Sequence, residues 1–199
     1  QVAAVIQSLS SAAEGAGLST ADAVTQSIKA LTEVVQANNS GSALDLSDST
    51  VLSDVVSKTK TNIDTIIANK SDVTSDDYDP DFDASSVNAA AFETVANSAV
   101  TVVATVAADI KDAFTDAKID AAIAGDIDLL DSVETKALFS VTQALRETVS
   151  TASEDLAAGK AGAAGQVIFD VAAAKTNLAP NDITIPGATG EAGNILSIS

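Results

Sequence analysis

The stretch Val87-Asn-Ala-Ala-Ala-Phe92-Glu-Thr-Val95-Ala-Asn-Ser-Ala99-Val-Thr-Val102-Val-Ala-Thr-Val106-Ala-Ala-Asp-Ile110-Lys-Asp-Ala-Phe114 decides the fold. Val87, Phe92, Val95, Ala99, Val102, Val106, Ile110 and Phe114 recur at steps of three to five over about seven turns, the period of a helix with one buried stripe. Within it, Thr94 to Ala108 carries no charge but includes Asn97, Ser98, Thr101 and Thr105. A bilayer requires about 20 predominantly apolar residues, so this run is predicted as a core helix and no transmembrane segment is expected.

The same period extends in both directions. Upstream, Val2, Val5, Ile6 and Leu9 open a helix that runs out near Gly15 and Gly17. Ser19-Thr20-Ala21-Asp22 reads as a capping box for a second helix, with Val24, Ile28, Leu31, Val34 and Val35 on its inner face and Asn38 to Gly41 as its stop. Residues 48–69 form a third helix that turns Val51, Leu52, Val55, Val56, Ile63, Ile66 and Ile67 inward. Downstream, Asp116 to Gly125 reads as a short turn. Leu129, Leu130, Val133, Leu138, Val141, Leu145 and Val149 then stripe another long helix. Gly159 to Gly165 forms a joint before a last short helix at 166–177. The prediction is an all-α bundle of five or six amphipathic Ala/Val-rich helices over residues 1–178. Beyond it, Ile183-Thr184-Ile185 and Ile195 to Ile198 alternate like strands, so 179–199 is expected to be an extended linker or the first strands of a following β module. A chain opening on Gln1 inside a helix is expected to be a piece of something longer.

Composition narrows the chemistry. The 199 residues include no Cys, His, Met or Trp, and a single Tyr, Tyr78. This set supplies no disulfide framework, no zinc or haem ligation by Cys or His, and no Ser–His or Cys–His nucleophilic pair. The net charge of −18 argues against nucleic-acid binding, which requires cations to neutralise phosphates. Aspartate dominates the acid, although glutamate is the better helix former. The excess is concentrated, with residues 45–131 carrying 13 of the 18 surplus negative charges.

Two constellations are candidate cation sites. In Ser75-Asp76-Asp77-Tyr78-Asp79-Pro80-Asp81-Phe82-Asp83 the carboxylates of Asp77, Asp79, Asp81 and Asp83 alternate, as calcium loops place ligands at positions 1, 3, 5 and 7. Phe82 stands where such a loop uses Gly for its sharp turn, and Asn88 where a Glu would close the shell. The competing reading is a solvated acidic loop that attracts cations diffusely. Asp126 with Asp128 is a second, smaller candidate, against the simpler reading of first-turn acids for the following helix. Ca2+ is the only cofactor these patterns suggest.

Catalysis is not expected. Carboxylate pairs hydrolyse glycosides, but sugar clefts draw on aromatics, and only 3% of this chain is aromatic. Ser57-Lys58-Thr59-Lys60 matches S-x-x-K but lacks the companion motifs of that enzyme class.

Thr20 to Val24, the run Ile119-Asp-Ala-Ala-Ile-Ala-Gly-Asp-Ile-Asp128 and the Ala/Val helices around them resemble α-helical modules of very large secreted bacterial proteins of the RTX, cadherin-like and S-layer type. The resemblance is one of style over residues 1–178, without the G-G-x-G-x-D repeat. It implies a non-enzymatic structural or adhesive module, extracellular or at the cell surface and associated with calcium. Its partners would be other modules of the same long chain, neighbouring protein subunits and divalent cations. One alternative is a helical accessory subunit docked on a larger surface, filament or membrane assembly. A remoter one is a carboxylate-dependent hydrolase domain.

Overall fold

A computed structural model describes residues 1–38, 44–125, 127, 128, 132–160 and 165–177. The described chain is all-α. Its helices are α1 (Val2–Gly15), α2 (Thr20–Ala37), α3 (Ser49–Ser71), α4 (Ala89–Ala113), α5 (Asp116–Ala124), α6 (Val133–Ala157) and α7 (Val171–Asn177), with one 3-10 turn at Ala84–Ser86. The expected bundle is present. One more helix arises because Asp116 to Gly125, read from sequence as a turn, closes into α5, which ends on Gly125 in the left-handed region at φ 82°. The segment expected as helix from 166 begins only at Val171, since residues 165–170 adopt no regular structure. Asp126, Leu129, Leu130 and the tail 179–199 lie outside the described residues.

Side-chain caps start four of the helices; the Ser19 box stands as expected, whereas the helix expected to open near Asp128 starts only at Val133, capped by Ser132. Ser19 accepts the Asp22 N–H and donates its hydroxyl to the Asp22 carboxylate at 2.9 Å. Asp48, Asn88 and Ser132 accept the N–H groups of Thr50, Ala91 and Thr135. Each removes one orphan donor from a first turn.

The core gathers α1, α2, α3, α4 and α6 around Val5, Val55, Val56, Ile63, Phe92, Val95, Val106, Val141, Leu145 and Val149, each at most 1% exposed. α4 runs through its middle. Helix orientations follow from a few bonds. Asn88 donates its backbone N–H to Ala16 O at 2.8 Å, so α4 begins where α1 ends and runs back along it. Ser153 Oγ donates to Ala12 O at 2.6 Å, joining the carboxyl halves of α1 and α6. A Cβ at Gly15 would collide with the Ser150 carbonyl oxygen, which is why α1 and α6 pack so closely there.

On α2 the buried face differs from expectation. Ile28 and Val35 are about half exposed, while Ala23, Gln26, Ser27 and Ala30 are buried with Leu31 and Val34. Ile28 and Val35 face solvent, and Ala and Ser share the buried face with Leu31 and Val34, because close helix approach favours small side chains. The buried hydroxyls of Ser8, Ser27 and Thr59 are satisfied within their own helices, by the Ala4, Ala23 and Val55 carbonyls, whereas that of Ser153 bonds across to α1.

Ala84–Ala113 is long and apolar enough to cross a membrane by length and composition, a longer span than the uncharged run alone suggests. Half of its most apolar window is buried inside the bundle.

Candidate functional site

The aspartate-rich segment 72–83 links the end of α3 to the start of α4. It is a chain of short turns, each closed by an Asp or Ser side chain. Asp72 caps α3, and its Oδ1 accepts both the N–H and the hydroxyl of Thr74 at 2.9 and 2.7 Å. Ser75 accepts the Asp77 N–H. Asp79 Oδ1 accepts the Asp81 N–H at 3.1 Å. Asp83 Oδ1 accepts the N–H and the hydroxyl of Ser85 at 2.9 and 2.6 Å, starting the 3-10 turn. Short carboxylates one or two bonds from the backbone close such turns readily.

The alternating carboxylates do not meet. Asp83 is engaged forward with Ser85 and Asp79 with Asp81, while Asp77 and Asp81 are exposed and contribute backbone N–H groups. Among the described residues no three Asp or Glu side chains are grouped to hold a metal ion. Of the smaller pair, Asp126 lies outside the described residues and Asp128 is exposed. With Asp79 and Asp83 committed to their own turns, the four alternate carboxylates are not gathered around one centre.

The residue that organises the segment is Lys70, which the sequence reading passed over. Its ammonium lies 3.0 Å from Asp22 Oδ2 on α2, 3.9 Å from Asp79 Oδ2 and 5.3 Å from the centre of the Phe82 ring. Its carbonyl accepts the Asp79 N–H at 3.1 Å. One cation thus ties the loop to the start of α2. The available signal was a single Lys at the close of a helix followed by six aspartates between residues 72 and 83.

Hydrogen bonds from Ser85, first from its hydroxyl, hold the Asp83 carboxyl below its ordinary value. The Thr74 N–H and hydroxyl do the same for Asp72. At the other end of the bundle Asp45 falls to about 2, through the Ser47 hydroxyl and N–H and then the Lys111 ammonium 3.1 Å away. All three favour the ionised carboxylate by hydrogen bonding.

Where α1, α3, α4 and α6 meet, a small crevice is lined by Val5, Leu9, Val56, Ala99 and Val149 among others, with no carboxylate in its wall. Thr59 of the S-x-x-K match is buried and bonded to Val55 O, and Lys60 pairs with Asp64 at 2.7 Å. The chain matches no protein-family model, no curated protein and no solved structure.

Proposed function

We propose that the chain is a non-enzymatic structural or adhesive module of an extracellular bacterial surface protein. The observation that carries this reading is how the aspartates are used. They cap helices and close exposed turns around an Ala/Val/Ile interior, so the acid serves the surface of a folded body. Cations, calcium included, neutralise the acidic pole diffusely, since its carboxylates are spread along successive turns. An antibody raised against the bundle, applied to intact cells that make the chain in its native context, is expected to label them, and mild external protease to remove the label. Labelling only after lysis overturns the reading.

A second reading, an accessory subunit docked on a larger assembly, is favoured by α5. No residue of this helix is buried, and Ile119, Ile123 and Ile127 are exposed at four-residue spacing, Ile123 by 65%. If it holds, Ile119→Ser with Ile123→Ser releases the chain from that assembly without changing its melting temperature.

A further inference from the structure

Two side chains place the first and last described segments of the chain at one end of the bundle. Gln1 Nε2 donates to Ala107 O at 3.1 Å, and Lys175 in α7 pairs with Asp109. Ala107 and Asp109 are separated by about 3 Å of helical rise along α4. The Asp-rich segment stands at the opposite end, because it leads through the 3-10 turn to Asn88, the cap of the same helix. The roughly 20 residues of α4 between Asn88 and Ala107 or Asp109 set these poles about 30 Å apart. The first and last described segments therefore share one pole, and the acidic segment stands at the other.

We propose that the bundle is a side-projecting module that extends under tension, holding its acidic pole away from the line of the chain at rest and releasing length when pulled. This rests on the reading above that it belongs to a longer surface chain. Strung through one pole, the folded bundle adds little to the length of that chain. Tension on its two ends separates α1 from α7 across the helix axes, so contacts fail in succession and never share the load. Load applied at that pole reaches the Gln1 bond to α4 and the Lys175 pair first, and only then the extensive α1–α6 seam, whose Ser153–Ala12 bond lies toward the acidic pole. With no cysteine in the chain, no disulfide halts extension, and about 600 Å of contour lies between residues 3 and 176.

The absence of native thiols makes paired cysteines unique handles. In the full 199-residue chain, Ala3→Cys with Thr176→Cys marks the shared pole, and Ala3→Cys with Asp76→Cys spans the two poles; all three positions are exposed. Energy transfer between attached dyes is expected to be high for the first pair and low for the second. In optical tweezers the first pair should open at distinctly lower force, in several steps totalling about 600 Å, whereas the second loads the helices lengthwise and resists longer. Asp77→Cys supplies the distal handle if Asp76→Cys lowers the melting temperature. Equal forces through both pairs, or low energy transfer in the first, overturn the proposal. Surface labelling is read separately: labelled cells with equal forces keep the location and discard the mechanical role, and unlabelled cells with unequal forces keep the mechanics and discard the location.

Discussion

Lys70 shows how much one side chain carries in this acid-rich chain. Its side chain is a quarter exposed and its ammonium serves Asp22, Asp79 and the Phe82 ring together, so its removal unpins the acidic segment from α2. Lys70→Gln is expected to speed amide hydrogen exchange across residues 72–83 and to lower global stability by only about 1 kcal/mol, as partly exposed ion pairs contribute little. Unchanged exchange in the loop would show that its own turns hold it. Asn62 makes the opposite case. It is 5% exposed on the inner face of α3, and its Nδ2 has no hydrogen-bond partner. Leaving a buried donor unsatisfied costs about 1–3 kcal/mol, so Asn62→Leu, which keeps the branching at Cγ, is expected to raise the denaturant midpoint without changing the m-value. A fall in the midpoint would mean that the amide is held by its oxygen more strongly than its nitrogen is penalised.

Helix ends and loops carry the pH response. Asp45, Asp72 and Asp83 titrate below their ordinary value of 3.8 in the folded chain, by hydrogen bonds that the unfolded chain lacks. A lowered carboxyl pKa gives stability that is complete above the unfolded value. That stability is lost as pH falls through the folded one, for Asp45 down to about 2. No histidine titrates in the neutral range. Melting temperature is therefore expected to be level from about pH 8 to about pH 5 and to fall below about pH 4. Asp45→Asn, with Asp72→Asn and Asp83→Asn, should flatten the acid limb. An equally steep limb in that triple variant would assign acid sensitivity to general charge accumulation.

Over the whole molecule, 28 acids face 10 bases, and several of those bases are engaged in pairs such as Lys60–Asp64 and Lys111–Asp45. The uncompensated charge repels itself, so melting temperature is expected to rise with NaCl between about 10 mM and about 1 M as screening shortens to a few ångströms. Because the loop carboxylates close separate turns, CaCl2 at matched ionic strength should give no saturable extra rise. A saturating calcium effect that Asp79→Asn with Asp81→Asn removes would show that cation binding draws these carboxylates together, at a cost in the turns they now close.

The helices were legible because their signals are local. The stripe Phe92, Val95, Ala99, Val106 and the capping box at Ser19 depend on residues three or four apart, and the structure keeps both. Position on a face was less legible. Ile28 and Val35 of α2 turn outward because Ala23, Ser27 and Ala30 permit the closer approach, a choice that involves surfaces distant in sequence. The alternation of Asp77, Asp79, Asp81 and Asp83 gave spacing but no direction, and direction was set by Ser85, the Asp81 N–H and Lys70. Sequence alone determined an all-α, acidic, thiol-free chain, because periodicity and composition need no partner. Only the tertiary structure decided that Gln1 and Lys175 meet the same end of α4, because that depends on how seven helices stack and in which direction each one runs.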